Sequence, residues 1–100
     1  MNITIQKTND TALAILEGRY DTAAANEVQP VIDELVALAQ EGKDISMNFS
    51  LTDVITSAGL RQLLQVCKAA GEKKVALTGL SDYELQVLHL SGFEKLFNIK

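Results

Sequence analysis

Val54-Ile55-Thr56-Ser57-Ala58-Gly59-Leu60, continued by Arg61-Gln62-Leu63-Leu64, is the stretch on which the reading of this chain turns. An apolar pair leaves a strand, Thr56-Ser57 makes a polar turn, and Leu60, Leu63 and Leu64 then recur at the spacing of a helix with one buried face. Ser57 is the expected N-cap, because a hydroxyl there can accept a hydrogen bond from the open N–H groups of the first turn. Gly59 inside that turn costs roughly 0.5–1 kcal/mol relative to alanine. A glycine kept at such a place implies close approach of backbone, by the chain's own fold or by a partner. The amino end of a helix also favours negative charge, so a phosphate on Ser57 is electrostatically tolerated.

Upstream, Ile3 and Ile5 alternate with Asn2, Thr4 and Gln6, the period of a half-buried strand. Asn9-Asp10 marks a turn, Ala12 to Leu16 reads as the second strand of a hairpin, and Gly18 as its end. Asp21-Thr22 offers an N-cap for a helix from about Ala23 to Gln40. Its apolar face is Val28, Val31, Ile32, Leu35, Leu38 and Ala39, while Glu27, Asp33, Glu34 and Glu41 lie mostly opposite. Pro30 removes an N–H from that helix, so either the helix kinks near Asn26, the reading preferred here, or Pro30 opens its regular part and the Ala-rich run before it is a separate turn. Gly42 closes it. Ile45, Met47 and Phe49 alternate in a third strand, with Thr52-Asp53 as a polar break before the opening stretch.

From Ser57 to Ala70 the expected buried positions are Leu60, Leu63, Leu64, Cys67 and Ala70, with Arg61, Gln62, Gln65 and Lys68 outward. Gly71 stops this helix and Lys74 to Thr78 reads as a central strand. Ser81-Asp82-Tyr83-Glu84 has the form of a capping box, Ser81 at N-cap and Glu84 at N3. Leu85, Val87 and Leu88 face inward on the helix that follows, to about Ser91-Gly92. Phe93, Leu96, Phe97 and Ile99 close the chain as a turn and a brief edge strand. The order β-β-α-β-α-β-α-(β) implies an α/β fold: a four- or five-stranded mixed sheet, an N-terminal hairpin followed by parallel strands joined by right-handed crossovers. No linker, repeat or low-complexity tract divides residues 1–100, so one domain is expected.

Composition narrows the function. A formal net charge of -4 argues against nucleic acid as the main partner. No run of about eighteen apolar residues exists to span a membrane. The alternating N-terminus does not have the form of a signal-peptide core, and the lone cysteine excludes an internal disulfide framework, so a reduced cytoplasm is the expected setting. Chemistry is sparse. His89 stands mid-helix with no second histidine nearby, and Cys67 falls on an apolar helix face. There is no CxxC, no HExxH and no phosphate-cradling glycine loop. Pairing Ser57 with His89 as a nucleophile lacks both a GxSxG elbow and an acid partner. We therefore expect no enzyme, no metal and no cofactor. Asp21 and Ser57, each following a strand and preceding a helix, are expected at the same end of the sheet, where open α/β sheets build binding sites.

Four short motifs, in order, extend this reading. They are Gly18-Arg19-Tyr20-Asp21, Asn48-Phe49-Ser50, Thr56-Ser57-Ala58-Gly59-Leu60 and Ser91-Gly92-Phe93. Together they resemble the STAS domain, the family of sulphate transporters and anti-sigma factor antagonists, and in particular its small bacterial members. The resemblance implies that Ser57 is the serine phosphorylated by an anti-sigma factor of serine kinase type, and that Asp21 is the motif aspartate beside it. It further implies a partner surface of Asp21, Thr56, Ser57, Ala58, Gly59, Arg61 and Gln62, a possible protein phosphatase as second partner, and a monomer or weak dimer. Thr56 stands where many phosphorylated members carry aspartate. The chain also stops at Lys100, where members usually continue into a last helix. The alternative that the resemblance allows is a constitutive accessory subunit of a membrane transporter of the lipid-exporting ABC type, docked on its ATPase.

Overall fold

A computed structural model describes residues 1–100. The period-2 pattern at the amino end becomes a regular antiparallel pair of β1 (Asn2–Lys7) and β2 (Thr11–Tyr20), in register from Asn2–Glu17 to Lys7–Ala12. The Thr8 hydroxyl accepts the Thr11 N–H at 3.0 Å and closes the turn between them. The chain then alternates α1 (Thr22–Gln40), β3 (Asp44–Ile55), α2 (Ser57–Ala70), β4 (Ala76–Thr78), α3 (Asp82–Ser91) and β5 (Asn98–Ile99). The sheet order is β1-β2-β3-β4-β5, with every pair after the first parallel. The brief terminal strand of the sequence reading is therefore the fifth strand of a mixed sheet.

Right-handed crossovers that advance one strand at a time in a single direction place all three helices on one face. Burial agrees. Ala12, Ala14 and Leu16 of β2, Ile45, Met47 and Phe49 of β3, and Leu77 of β4 share one core with Val28, Ile32 and Leu35 of α1, Leu63 and Val66 of α2 and Leu88 of α3. The opposite sheet face carries half-buried Leu13 and Ile15, and Leu51 there is 53% exposed. Two layers account for the 33 × 27 × 19 Å dimensions.

Several sequence expectations shift, each for a physical reason. Gly18 does not end β2; it sits at φ +113° in an irregular stretch of the β2–β3 ladder, and the strand runs on to Tyr20, paired with Ile55. Thr52-Asp53 is not a break. β3 continues through it because Thr52 is buried and satisfied there, its hydroxyl within reach of the Phe49 carbonyl (2.7 Å) and of Glu84 Oε2 (2.6 Å). Glu84, fully buried, also accepts from the Ser81 N–H at 2.9 Å while its own N–H donates to Ser81 Oγ, completing the expected capping box. One carboxylate thus caps α3 and ties it to β3.

Pro30 lies inside a single continuous α1, so the Ala-rich run before it is part of the helix and not a separate turn. Pro30 and Asn26 are both exposed, so the carbonyl that loses its N–H partner is left where water can reach it. Val31 is only half-buried. In α2 the buried stripe is Gly59, Leu60, Gln62, Leu63 and Val66, while Leu64, Cys67 and Ala70 are half-buried. The helix is rolled so that Gln62 and Val66 face inward. Lys74 and Val75 precede β4 instead of belonging to it, after a 3-10 turn at Gly71–Lys73.

Candidate functional site

Tyr20 pairs with Ile55 at the carboxyl ends of the parallel strands β2 and β3, so the helices that follow begin side by side. At the start of α1, Asp21 is the N-cap, and its Oδ1 accepts the Ala24 N–H at 2.9 Å. The start of α2 is built differently. Its N-cap is Thr56, not Ser57, and Thr56 makes no side-chain cap. The Thr56 N–H and hydroxyl instead both donate to the Tyr20 carbonyl, at 3.0 and 3.2 Å. Ser57 becomes the first helical residue, exposed, on a helix with no acidic residue in its first turn. Of two adjacent helix ends, one already holds a carboxylate and the other presents open N–H groups beside a free hydroxyl.

Gly59 is buried, and what it approaches is the chain's own fold. A Cβ at that position would lie 3.0 Å from Tyr20 Cγ and 3.2 Å from Ile55 Cγ1. The glycine therefore seats α2 on the Tyr20 ring and does not present itself to a partner. Gln62 corrects the sequence reading outright, since it is 4% exposed. Its Oε1 accepts the Tyr20 hydroxyl at 2.6 Å, and its Nε2 donates to the Ala25 carbonyl at 2.7 Å and to Gln29 Oε1 at 2.9 Å. This carboxamide locks the β2 end, α1 and α2 together beneath the site. The sequence held no local sign of it, because Tyr20 lies 42 residues away.

The surface above that lock comprises Asp21, Thr56, Ser57, Ala58 and Arg61. Arg61 is exposed and in no ion pair, one helical turn from Ser57; Arg19 approaches Asp21 at 4.0 Å. Beside it an open, largely polar groove of about 290 Å³ runs between α1 and α2, bounded by Asn26 and Gln29 on one side and by Ala58, Arg61 and Gln65 on the other. No cluster of ligands for a metal exists anywhere in the chain. His89 is exposed and bonded through Nδ1 to Glu94 at 2.6 Å, part of α3's end and not of this patch. Cys67 donates to the Leu96 carbonyl, and burial raises its thiol pKa, partly countered by the nearby Lys74 charge.

Two outcomes check the lock. Gln62→Leu strands the buried Tyr20 hydroxyl without an acceptor and should lower unfolding free energy by about 1–3 kcal/mol, read by urea denaturation. Burial also raises the Tyr20 phenol pKa well above its usual 10.0. The unfolded chain then loses that proton first as pH rises, so the stabilisation is complete below pH 10 and declines above it. Tyr20→Phe should flatten this alkaline decline in a series of melts across that range.

No curated protein matches the chain in sequence. Among solved structures, an anti-sigma factor antagonist from Mycobacterium paratuberculosis superposes with a TM-score of 0.83 at 17% identity, covering 98% of this chain and 83% of that one. SpoIIAA in its unphosphorylated form gives 0.71 at 17% identity, over 89% and 83% of the two chains. The Bacillus cell fate determinant SpoIIAA in the phosphorylated form gives 0.71 at 18%, over 99% and 91%. At such identities these likenesses establish the fold. The family model for the STAS domain matches residues 2–100, and this chain belongs to that family.

Proposed function

We propose that this protein is a non-enzymatic regulatory module. In this reading it binds an anti-sigma factor of serine kinase type through the surface around Ser57, and phosphorylation of Ser57 switches it off. The observation that carries the reading is the exposed Ser57 hydroxyl at the first position of a helix whose amino end has no side-chain cap. The fold it shares with proteins described as anti-sigma factor antagonists, one of them in a phosphorylated form, supports the same reading.

Asp21, Thr56, Ala58 and Arg61 are the contact residues of this proposal, with Gln62 and Gly59 holding them from beneath. The cytoplasm is the compartment in which such a switch meets its kinase and a phosphatase. No helix is long and apolar enough to cross a membrane. A phosphate adds about -1.5 to -2 charge. Set on Ser57, it sits against open N–H groups and within a helical turn of Arg61, so it is stabilised without unfolding the helix. Incubation with the cognate kinase and ATP should add one phosphate to the wild type, mapped to Ser57 by mass spectrometry, and none to Ser57→Ala. Labelling of another residue, or of none, would reject the switch.

A further inference from the structure

The two edges of the sheet are finished in different ways. β5 is only two residues long, which limits what another strand can pair with. β1 is six residues long and contains no Pro or Gly. It pairs with β2 through six consecutive residues without a bulge, and its only charged side chain, Lys7, stands at its end. A regular, nearly uncharged strand with one row of backbone groups unpaired is a template for another strand. Ile3 and Ile5 on its core face are half-buried, as is Val31, which lies on α1 between Glu27 and Glu34. Both glutamates reach the ends of β1: Glu34 pairs with Lys7 at 3.5 Å and Glu27 with the Met1 ammonium at 3.2 Å. The edge is thus an apolar strip with charges at its two ends.

From this we infer that β1 pairs antiparallel with β1 of a second copy of the chain, about a two-fold axis at Thr4, to make one continuous sheet across the dimer. Side-chain parity narrows the register, and the pairs each choice forms decide it. Residues directly opposite in an antiparallel pair share a face, so the axis must pass through a residue and not between two. Centred on Ile3, the pairing leaves Gln6 and Lys7 without partners, and centred on Ile5 it sets Lys7 against Ile3 of the other copy, a charge against the apolar strip. Centred on Thr4, it sets Ile3 against Ile5, Thr4 against Thr4 and Asn2 against Gln6. Lys7 then falls beside Met1 of the other copy, where that copy's Glu27 lies. Each end then gathers two cations, Lys7 and the other copy's Met1 ammonium, with two carboxylates, Glu34 and the other copy's Glu27, so the charges balance there, and the isoleucines of both copies form the middle. The inference is independent of the proposed switch, because Ser57 and its neighbours take no part in this edge.

Sedimentation velocity over a concentration series tests it. The wild type should show a reversible monomer–dimer equilibrium. Thr4→Lys, which opposes two lysines across the axis from an exposed position, should weaken association about fivefold or more, with a melting temperature equal to wild type at dilutions where both are monomers. Under mild oxidation Thr4→Cys should cross-link to itself far more than Gln6→Cys, whose own position is not opposite itself. A chain monomeric at every concentration, a dimer indifferent to Thr4→Lys, or equal cross-linking at the two positions would overturn the proposal.

Discussion

Gly79→Ala is expected to cost about 3 kcal/mol of unfolding free energy and to lower the melting temperature by roughly 10–20 °C. Two effects act together at this residue. Its φ of +70° strains any side chain, and a Cβ built there would lie 2.7 Å from the Ser50 nitrogen and 2.9 Å from Ser50 Cβ. The nearest contact is backbone in the middle of β3, which has no rotamer to give. Ser50 is also fixed where it is, because its N–H and its hydroxyl both donate to Asn48 Oδ1, at 2.8 and 2.6 Å. Relieving the clash would open the turn that follows β4, and with it the start of α3. Gly92→Ala is the control. Gly92 has a similar φ of +78° but nothing within 4 Å of the added carbon, so only the backbone term remains, about 1 kcal/mol. Thermal melts of the two variants side by side separate crowding from conformation; equal losses would show that the contact with Ser50 yields.

Alternation in Asn2–Gln6 and in Ile45–Phe49, the caps at Asp21 and Ser81, and Gly42 after α1 are local signals, and each produced the element it marks. The order of strands and helices was legible for the same reason. Thr52 was misread as a break because its satisfaction comes from Glu84, 32 residues further on. Gln62 was misread as solvent-facing because a glutamine on a helix ordinarily is, and only the approach of Tyr20, Ala25 and Gln29 makes its burial possible. Pro30 does not divide the helix, since its lost hydrogen bond falls on the wet side of α1. The meeting of Asp21 with Ser57 was legible from topology alone. That Thr56, and not Ser57, takes the N-cap position depends on the Tyr20 carbonyl lying within reach of it, which no local pattern encodes.

That one-residue difference sharpens what the proposed switch requires of Ser57→Asp, a loss of about 3 kcal/mol in affinity for the proposed anti-sigma partner, roughly a hundredfold in Kd. Were Ser57 the cap, its hydroxyl would be engaged by backbone N–H groups and its replacement would damage the helix start as well as the surface. As the first helical residue it is free, so Ser57→Asp changes charge with little structural penalty. A carboxylate at that position favours α2 by about 0.3–1 kcal/mol, because the first turn has no other acid. The variant should therefore melt at or slightly above the wild-type temperature while binding far more weakly. The weakening follows from burying a new negative charge in the interface without a partner cation, and Arg61, now drawn to its own chain's carboxylate, is less available to the partner. Ser57→Ala should keep affinity within about threefold, since it removes only a hydroxyl that has no bond to lose. Calorimetric titration with the kinase-type partner, run beside thermal melts, distinguishes the cases. Binding of Ser57→Asp equal to wild type would remove Ser57 from the interface, and a fall in both stability and affinity would return it to the role of a cap.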